Sequence, residues 1–405
     1  MLILLKNKTE EHRIGFALSA TSFKEARVNF EVFDLERIQS IWENRVAYNL
    51  TESGVHPFTL SELLPPEERD RLMNTRLGYG QTNGLEELRT AVARIYSDLN
   101  MDNVLITNGS AEANFLSVWT LLEPGDEILL MLPNYMQIWG IARSFGITVK
   151  PFYLREENDW GPDMDEVRRL VCSRTRMIAV CNPNNPTGAV LSREHMAALV
   201  SLAESCGAWL YADEVYRGAE LEGEETPSFI ALYDKALVCA GLSKAYALPG
   251  LRIGWLAGPE KTIARLWAAH DYTSITSGIL SNHIAALVLE PEKRQAVLQR
   301  TKDLLKRNLT VLQEWIARRS DFLSLIPPKA GGMAFIRYAL DINSTELTER
   351  LRREKSVFVI AGDCFGMDHF IRIGIGAETD YLETGLNMTG EFLDDISRKI
   401  PQSSR

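Results

Sequence analysis

The chain lacks the marks of several protein classes. Its 405 residues contain no apolar stretch that reaches the ~20 residues of a membrane-spanning helix. Met1 to Leu5 is apolar, but Lys6, Lys8, Glu10 and Glu11 follow at once, so the run is too short for the core of a secretory signal. Basic residues are outnumbered, 44 Lys and Arg against 54 Asp and Glu, and the formal net charge is −10. Phosphate affinity needs a basic face, so nucleic-acid binding is not expected, and neither is a membrane partner. The five cysteines, Cys172, Cys181, Cys206, Cys239 and Cys364, are odd in number, scattered and without metal-ligand spacing. They are expected to be reduced core thiols of a cytoplasmic protein. The six histidines form no His-x-x-x-His pair, and no metal site is expected. There is no internal repeat and no low-complexity linker.

What is present is an ordinary globular composition and a chain long enough for about two domains. From Val104 onward, short apolar runs alternate with amphipathic stretches. Val104 to Thr107, Glu127 to Met131, Thr148 to Tyr153, Met177 to Cys181, Trp209 to Ala212 and Leu237 to Ala240 are expected strands. Ala111 to Leu122, Met136 to Ser144 and Arg193 to Ser205 are expected helices. Such alternation implies an α/β fold with a mainly parallel sheet and right-handed crossovers. In these sheets ligands sit beyond the carboxyl ends of the strands. Pro291 to Ser320 has near-helical apolar spacing and predicts one long helix of roughly 40 Å. Gly331 to Tyr338 and Phe370 to Ile375 predict strands of a smaller α+β unit. Phe33 to Glu43 also has a helical pattern.

Three segments carry chemistry. Gly241-Leu242-Ser243-Lys244-Ala245 places a lysine on a turn after an apolar run, and Arg252 follows eight residues later. A lysine beside a small hydroxyl residue suits an aldehyde cofactor held as a Schiff base. The arginine fork suits that cofactor's phosphate. Alone, Ser243-Lys244 is equally a surface turn. Asn182-Pro183-Asn184-Asn185-Pro186-Thr187-Gly188 is a turn after a strand, in which an Asn amide can donate to a phenolate oxygen. Asp213 ends the strand Trp209 to Ala212, and Tyr216 lies three residues on. A carboxylate there can pair with a pyridinium nitrogen and keep it protonated. Asp213 could also cap a helix. Along the chain the Asn-Pro turn, Asp213 and Lys244 follow one another about 30 residues apart, which argues for one shared site.

Together they resemble the class I/II aminotransferases, within the fold-type I family of pyridoxal-phosphate (PLP) enzymes that includes aspartate aminotransferase. The resemblance runs from about Tyr48 to Gly376. A looser likeness to the capreomycidine synthases, family members that cyclise their substrate, is carried by Ser53-Gly54-Val55-His56 and by Gly362-Asp363-Cys364-Phe365-Gly366. The resemblance implies a large domain with a mainly parallel mixed sheet between helices, plus a smaller α+β domain. The expected division is 1–50 as a segment contributing to the small domain, 51–290 as the large PLP-binding domain, and 291–405 as interdomain helix and small domain. It implies pyridoxal 5'-phosphate as cofactor, amino-acid and keto-acid substrates, and a homodimer with shared active sites.

By the same resemblance, Lys244 carries the Schiff base and moves the proton, its pKa brought down by desolvation. Asp213 faces the pyridinium, while Asn185 and Tyr216 donate to the phenolic oxygen. Ser110 and Ala111 bind the phosphate at a helix start, Ser243 adds a hydroxyl and Arg252 clamps it. Locally, Asn108 or Ser110 could be an ordinary N-cap. Tyr135 stacks on the ring, with a core tyrosine as the alternative. Tyr79 reaches the neighbouring subunit's phosphate, or else packs in its own subunit. Arg372, flanked by isoleucines, holds the substrate α-carboxylate; the alternative is a structural salt bridge. Gly54 approaches the substrate. The family commonly follows that glycine with an acidic residue and proline, whereas this chain has Val55-His56-Pro57. His56 is therefore expected at the substrate mouth, and a housekeeping aspartate or alanine aminotransferase is disfavoured. Asp363 and Cys364 either touch the substrate or pack in the core. Elimination, replacement or cyclisation is the alternative outcome. A regulator on the same fold would need a DNA-binding extension, for which residues 1–50 are too short.

Overall fold

The computed structural model describes residues 31–399. Met1–Leu5 and the greater part of the segment 1–50 lie outside the described residues. The larger body is built on an eight-stranded mixed sheet. Its strands are β1 (Val104–Asn108), β2 (Glu127–Leu132), β3 (Thr148–Arg155), β4 (Gly161–Pro162), β5 (Thr175–Cys181), β6 (Trp209–Asp213), β7 (Ala236–Gly241) and β8 (Ile253–Ala257). In space they run β1-β8-β7-β6-β5-β2-β3-β4. The block from β7 to β3 is parallel, while β4 and β8 pair antiparallel with their neighbours. Both faces are covered. Leu105, Ile128 and Leu130 enter one apolar core, and Val104, Ile106, Leu129 and Met131 enter the other. Burial on both faces is why these strands read as continuous apolar runs.

The helices that matter for the site are α1 (Asp34–Trp42), α2 (Ser110–Leu121), α3 (Arg193–Cys206), α4 (Pro291–Ala317) and α5 (Thr379–Lys399). α3 begins where Ser192 Oγ accepts from the His195 amide at 3.1 Å and ends at Gly207 in the left-handed conformation. α4 starts with proline at its first position, where no amide partner is needed, and spans roughly 40 Å. Its buried stripe includes Val297, Leu298, Leu305, Leu312 and Trp315. Two buried polar groups on that stripe fix the frame of the site. Thr301 Oγ1 donates to Ala245 O at 2.9 Å, and Asn308 Nδ2 donates to Ile375 O at 2.8 Å. One helix thus ties the loop at Lys244 to the strand end at Arg372.

The smaller sheet has strands β9 (Leu323–Leu325), β10 (Met333–Tyr338), β11 (Ile360–Ala361) and β12 (Phe370–Gly374), in the order β9-β10-β12-β11 and all antiparallel. Phe335 and Phe370 stack at 4.6 Å in its core. Tyr48–Asn49 pairs in parallel with Val357–Phe358, and Gly374 N donates to Leu50 O at 2.7 Å. These bonds fix the segment Thr51–Gly54 beside Arg372. Among the described residues no helix is long and apolar enough to cross a membrane.

Candidate active site

Parallel strands aligned in register bring their carboxyl ends to one place. Cys181 at the end of β5 is opposite Asp213 at the end of β6, which in turn is opposite Cys239 on β7. A cavity of about 350 Å³ opens beyond these ends. Ser110, Ala111, Tyr135, Asn185, Asp213, Tyr216, Ser243, Lys244, Arg252 and Arg372 all line it.

Its anion-binding corner is the start of α2. Gly109, at φ +77°, turns the chain into the helix and leaves the first amides unpaired. That φ favours glycine, and a side chain there would also push the Arg252 guanidinium aside. Glu112 on the first turn accepts from the Asn108 amide at 2.6 Å and from Thr273 Oγ1 at 2.5 Å, which fixes the loop. Arg252 Nη1 donates to Pro249 O at 3.1 Å and to Ser243 Oγ at 3.4 Å, and makes no ion pair among the described residues. A helix N-terminus beside an uncompensated guanidinium is an anion site.

Asp213 is buried, and burial pushes its carboxyl up to about 6, against the Val215 amide that donates to it at 3.2 Å. No cation pairs with it among the described residues. Tyr216 is buried and donates to Ser53 Oγ at 3.0 Å. Asn184 Nδ2 donates to Pro133 O at 3.1 Å, tying the Asn-Pro loop to the loop that carries Tyr135. Asn185 Oδ1 accepts from Arg372 Nη1 at 3.0 Å, which leaves its NH2 for a ligand. Tyr135 packs edge-on to Phe33 and donates to Glu36 Oε1 at 2.7 Å.

Arg372 is 1% exposed. Its Nη2 donates to Thr51 O at 2.7 Å, its Nε has no partner, and no carboxylate reaches it among the described residues. The structural salt bridge allowed by the sequence is therefore absent there. Burial lowers its pKa, and a buried guanidinium without a counter-charge is costly unless a ligand supplies one.

Lys244 differs from the desolvated base read from the sequence. Burial does pull its pKa down, but Glu52 and Tyr216 outweigh that and the net direction is upward. Its Nζ donates to Glu52 Oε1 at 2.8 Å, and Lys244 in turn holds Glu52 at about 2. Gly54 packs behind this pair: a Cβ on it would lie 3.0 Å from Ser243 O and 3.5 Å from Lys244 Cδ. His56 lies outside the cavity lining and faces Glu378 at 3.4 Å. Tyr79 is 87% exposed and outside the lining of its own subunit's cavity. Asp363 accepts from Thr345 Oγ1 at 2.5 Å, and Cys364 lines a separate groove.

The sequence did not point to Glu52 or to Leu35, Glu36, Gln39 and Glu43 on α1 and its end, all of which line the cavity; Ser53, which lines it too, was named only in the looser family likeness. The signal for α1 was its spacing: positions 36, 39 and 43 share one helix face.

A sheet with ligand groups at its carboxyl ends, an anion cradle, a buried acid and a partly buried lysine defines a fold-type I PLP enzyme. The sequence profile described as Aminotransferase class I and II matches residues 50–387, and the chain belongs to that family. It is 31% identical to capreomycidine synthase of Streptomyces vinaceus, over 86% of this chain and 90% of that protein. It is 27% identical to an aspartate aminotransferase of Thermotoga maritima, over 85% and 91% of the two chains. A PLP-dependent aminotransferase from Streptococcus suis superposes with a TM-score of 0.86 at 33% identity, covering 91% of this chain and 99% of that one. The cofactor is pyridoxal 5'-phosphate. The residues fit it: no described residue gives an anion to the cradle at Gly109–Ala111 and Arg252, or pairs a cation with buried Asp213.

Proposed function

We propose that the chain is an aminotransferase acting on an α-amino acid, with Lys244 as the residue that holds the cofactor. The observation that carries this is the meeting in one cavity of Lys244, Asp213 and Arg372, which no carboxylate of the described residues pairs. When bound, the cofactor supplies an electron sink for the bond broken at the substrate α-carbon. Asp213 would keep the ring nitrogen protonated, and that positive charge would return the acid to its ionised form. Asn185 and Tyr216 would donate to the phenolic oxygen. The amides of Ser110 and Ala111, with Ser243 and Arg252, would bind the phosphate. Tyr135 would flank the ring. Arg372 would take the α-carboxylate by its fork and orient the substrate. The Lys244 amine would move the proton at the α-carbon, which requires its neutral form.

Tyr79 is assigned to the neighbouring subunit's phosphate in a homodimer. Leu77 and Tyr272, 78% and 83% exposed, support an interface on that face. Gly54 keeps its place beside Lys244, and His56 is assigned to the outer substrate approach. Residues 51–290 form the cofactor domain in this proposal, with 291–405 and the segment up to 50 forming the small one. Five unpaired cysteines support a cytoplasmic setting.

A second outcome is supported by the relative named capreomycidine synthase. Elimination, replacement or cyclisation would use the same cofactor residues; replacement and cyclisation would keep the amino nitrogen in the product, and elimination would release it as ammonia. A screen of amino acids against keto acids, read by absorbance and product mass, separates the two. Transfer of nitrogen to a keto acid supports the aminotransferase. A product that retains its nitrogen, or nitrogen released as free ammonia, with no amino acid formed from the acceptor, rejects it.

A further inference from the structure

The charges lining the cavity do not balance. Its cations are Lys244, Arg252 and Arg372. Lys244 is taken by Glu52, and Arg252 stands at the phosphate cradle. Four carboxylates share the lining: Asp213, Glu52, Glu36 and Glu43. No described residue offers a cation to Glu36 or Glu43.

These two acids are built into the wall. With Gln39 they occupy positions i, i+3 and i+7 of α1 and its end, one face of the helix. Gln39 Nε2 donates to Thr51 Oγ1 at 3.0 Å, and Tyr135 donates to Glu36 at 2.7 Å, so this face is docked on both sides of the cavity. Glu36 uses one oxygen for Tyr135 and leaves the other free among the described residues. Glu36 is half-buried, and Glu43 is exposed at the rim. Burial and the charges of Glu52 and Glu36 raise the Glu43 pKa, so the three acids repel one another. Arg372 is the independent pointer to a ligand: it is 1% exposed, lines the same cavity and, among the described residues, has an unpartnered Nε and no carboxylate.

We propose that the substrate is an α-amino acid with a positively charged side chain, an amine or guanidinium, whose carboxylate sits on Arg372 and whose cation sits against Glu36 and Glu43. The assignment rests on the PLP reading above and adds the substrate class. A dicarboxylate would instead bring its second carboxylate to an acidic wall, with no further cation in the described lining to receive it.

The test uses the PLP-loaded enzyme and pairs that differ in charge, L-arginine with the near-isosteric L-citrulline and L-lysine with L-norleucine, which lacks the terminal ammonium, plus L-aspartate. Binding is followed by calorimetry and by the change in the cofactor absorption band. The charged member of each pair is expected to bind about tenfold or more tightly. In Glu36→Gln/Glu43→Gln, which keeps an acceptor for Tyr135, the preference should fall to about threefold or less while citrulline affinity holds. If that double variant fails to fold, Glu43→Gln alone at the rim should still reduce the preference. Equal binding within the pairs, tightest binding of aspartate, or an unchanged preference in the variants overturns the assignment. A band moved as readily by norleucine or aspartate as by lysine sinks this inference alone. If the chain takes up no cofactor, or no amino acid moves the band, the PLP reading fails and the substrate class falls with it.

Discussion

Lys244 Nζ and Glu52 Oε1 meet at 2.8 Å across 192 residues of chain. The pair sets the resting state of the site: Glu52 holds the amine protonated against the pull of burial. Gly54 N also donates to Glu52 Oε1, at 2.7 Å, so the carboxylate is positioned by the backbone next to it.

The first expected outcome concerns that amine. Only the neutral form attacks an aldehyde. Glu52→Gln keeps the hydrogen-bond acceptor but removes the charge, so the Lys244 pKa should fall. Cofactor uptake by the cofactor-free variant at pH 7.5, followed by absorbance, should be roughly three- to tenfold faster. Unchanged or slower uptake would contradict the role given to Glu52.

Asp213 gives a pH-dependent stability effect. Its pKa of about 6 in the cofactor-free protein exceeds an unfolded value of about 3.9. The folded state therefore holds the proton more tightly. Ionisation costs stability in full above pH ~6, and the cost vanishes below pH ~4. Cofactor-free Asp213→Asn should be more stable than the parent by about 1–3 kcal/mol at pH 8 and equal to it near pH 4. Urea unfolding at both pH values tests this, and no gain at pH 8 would count against a buried, unpaired acid.

Arg252 is expected to read the phosphate and nothing else of the cofactor. Arg252→Gln should weaken binding of pyridoxal phosphate by about 10- to 100-fold. Binding of pyridoxal, which lacks the phosphate, should be nearly unchanged. Equal losses for both would move Arg252 from the phosphate to the framework of the loop.

The dimer proposal is tested by complementation. Sedimentation velocity at micromolar concentration should give a dimer. Tyr79→Phe and Lys244→Ala subunits, unfolded and refolded together, should give mixed dimers with one intact site, which combines the first subunit's Lys244 with the second's Tyr79. Cofactor affinity of that site should match the parent. A mixture no better than Tyr79→Phe alone would place Tyr79 in its own subunit.

Much of the large sheet was legible because its strands are buried on both faces and are separated by helical periods. The cofactor corner was legible because Asp213 ends a strand and Ser110, Asn185 and Lys244 sit just past strand ends, where local text and topology agree. The small sheet was only half visible. β9 and β11 have three and two residues, too few for an apolar pattern. β8 follows Arg252 directly and pairs antiparallel, a direction that no local signal carries. The helix Phe33–Glu43 was visible, but its docking on Tyr135 and Thr51 was not, because those contacts span 99 and 12 residues and depend on the packed fold. Glu52 escaped for the same reason. It lies beside a recognised glycine, yet its partner is on the other side of the large sheet's sequence.

The most direct test is chemical. The PLP-loaded protein is reduced with borohydride, digested and mapped by mass. The added cofactor mass is expected on the peptide containing Lys244 and is expected to disappear in Lys244→Ala, whose circular dichroism should match the parent. Cofactor mass on any other lysine, or an unchanged yield in the variant, would contradict the account.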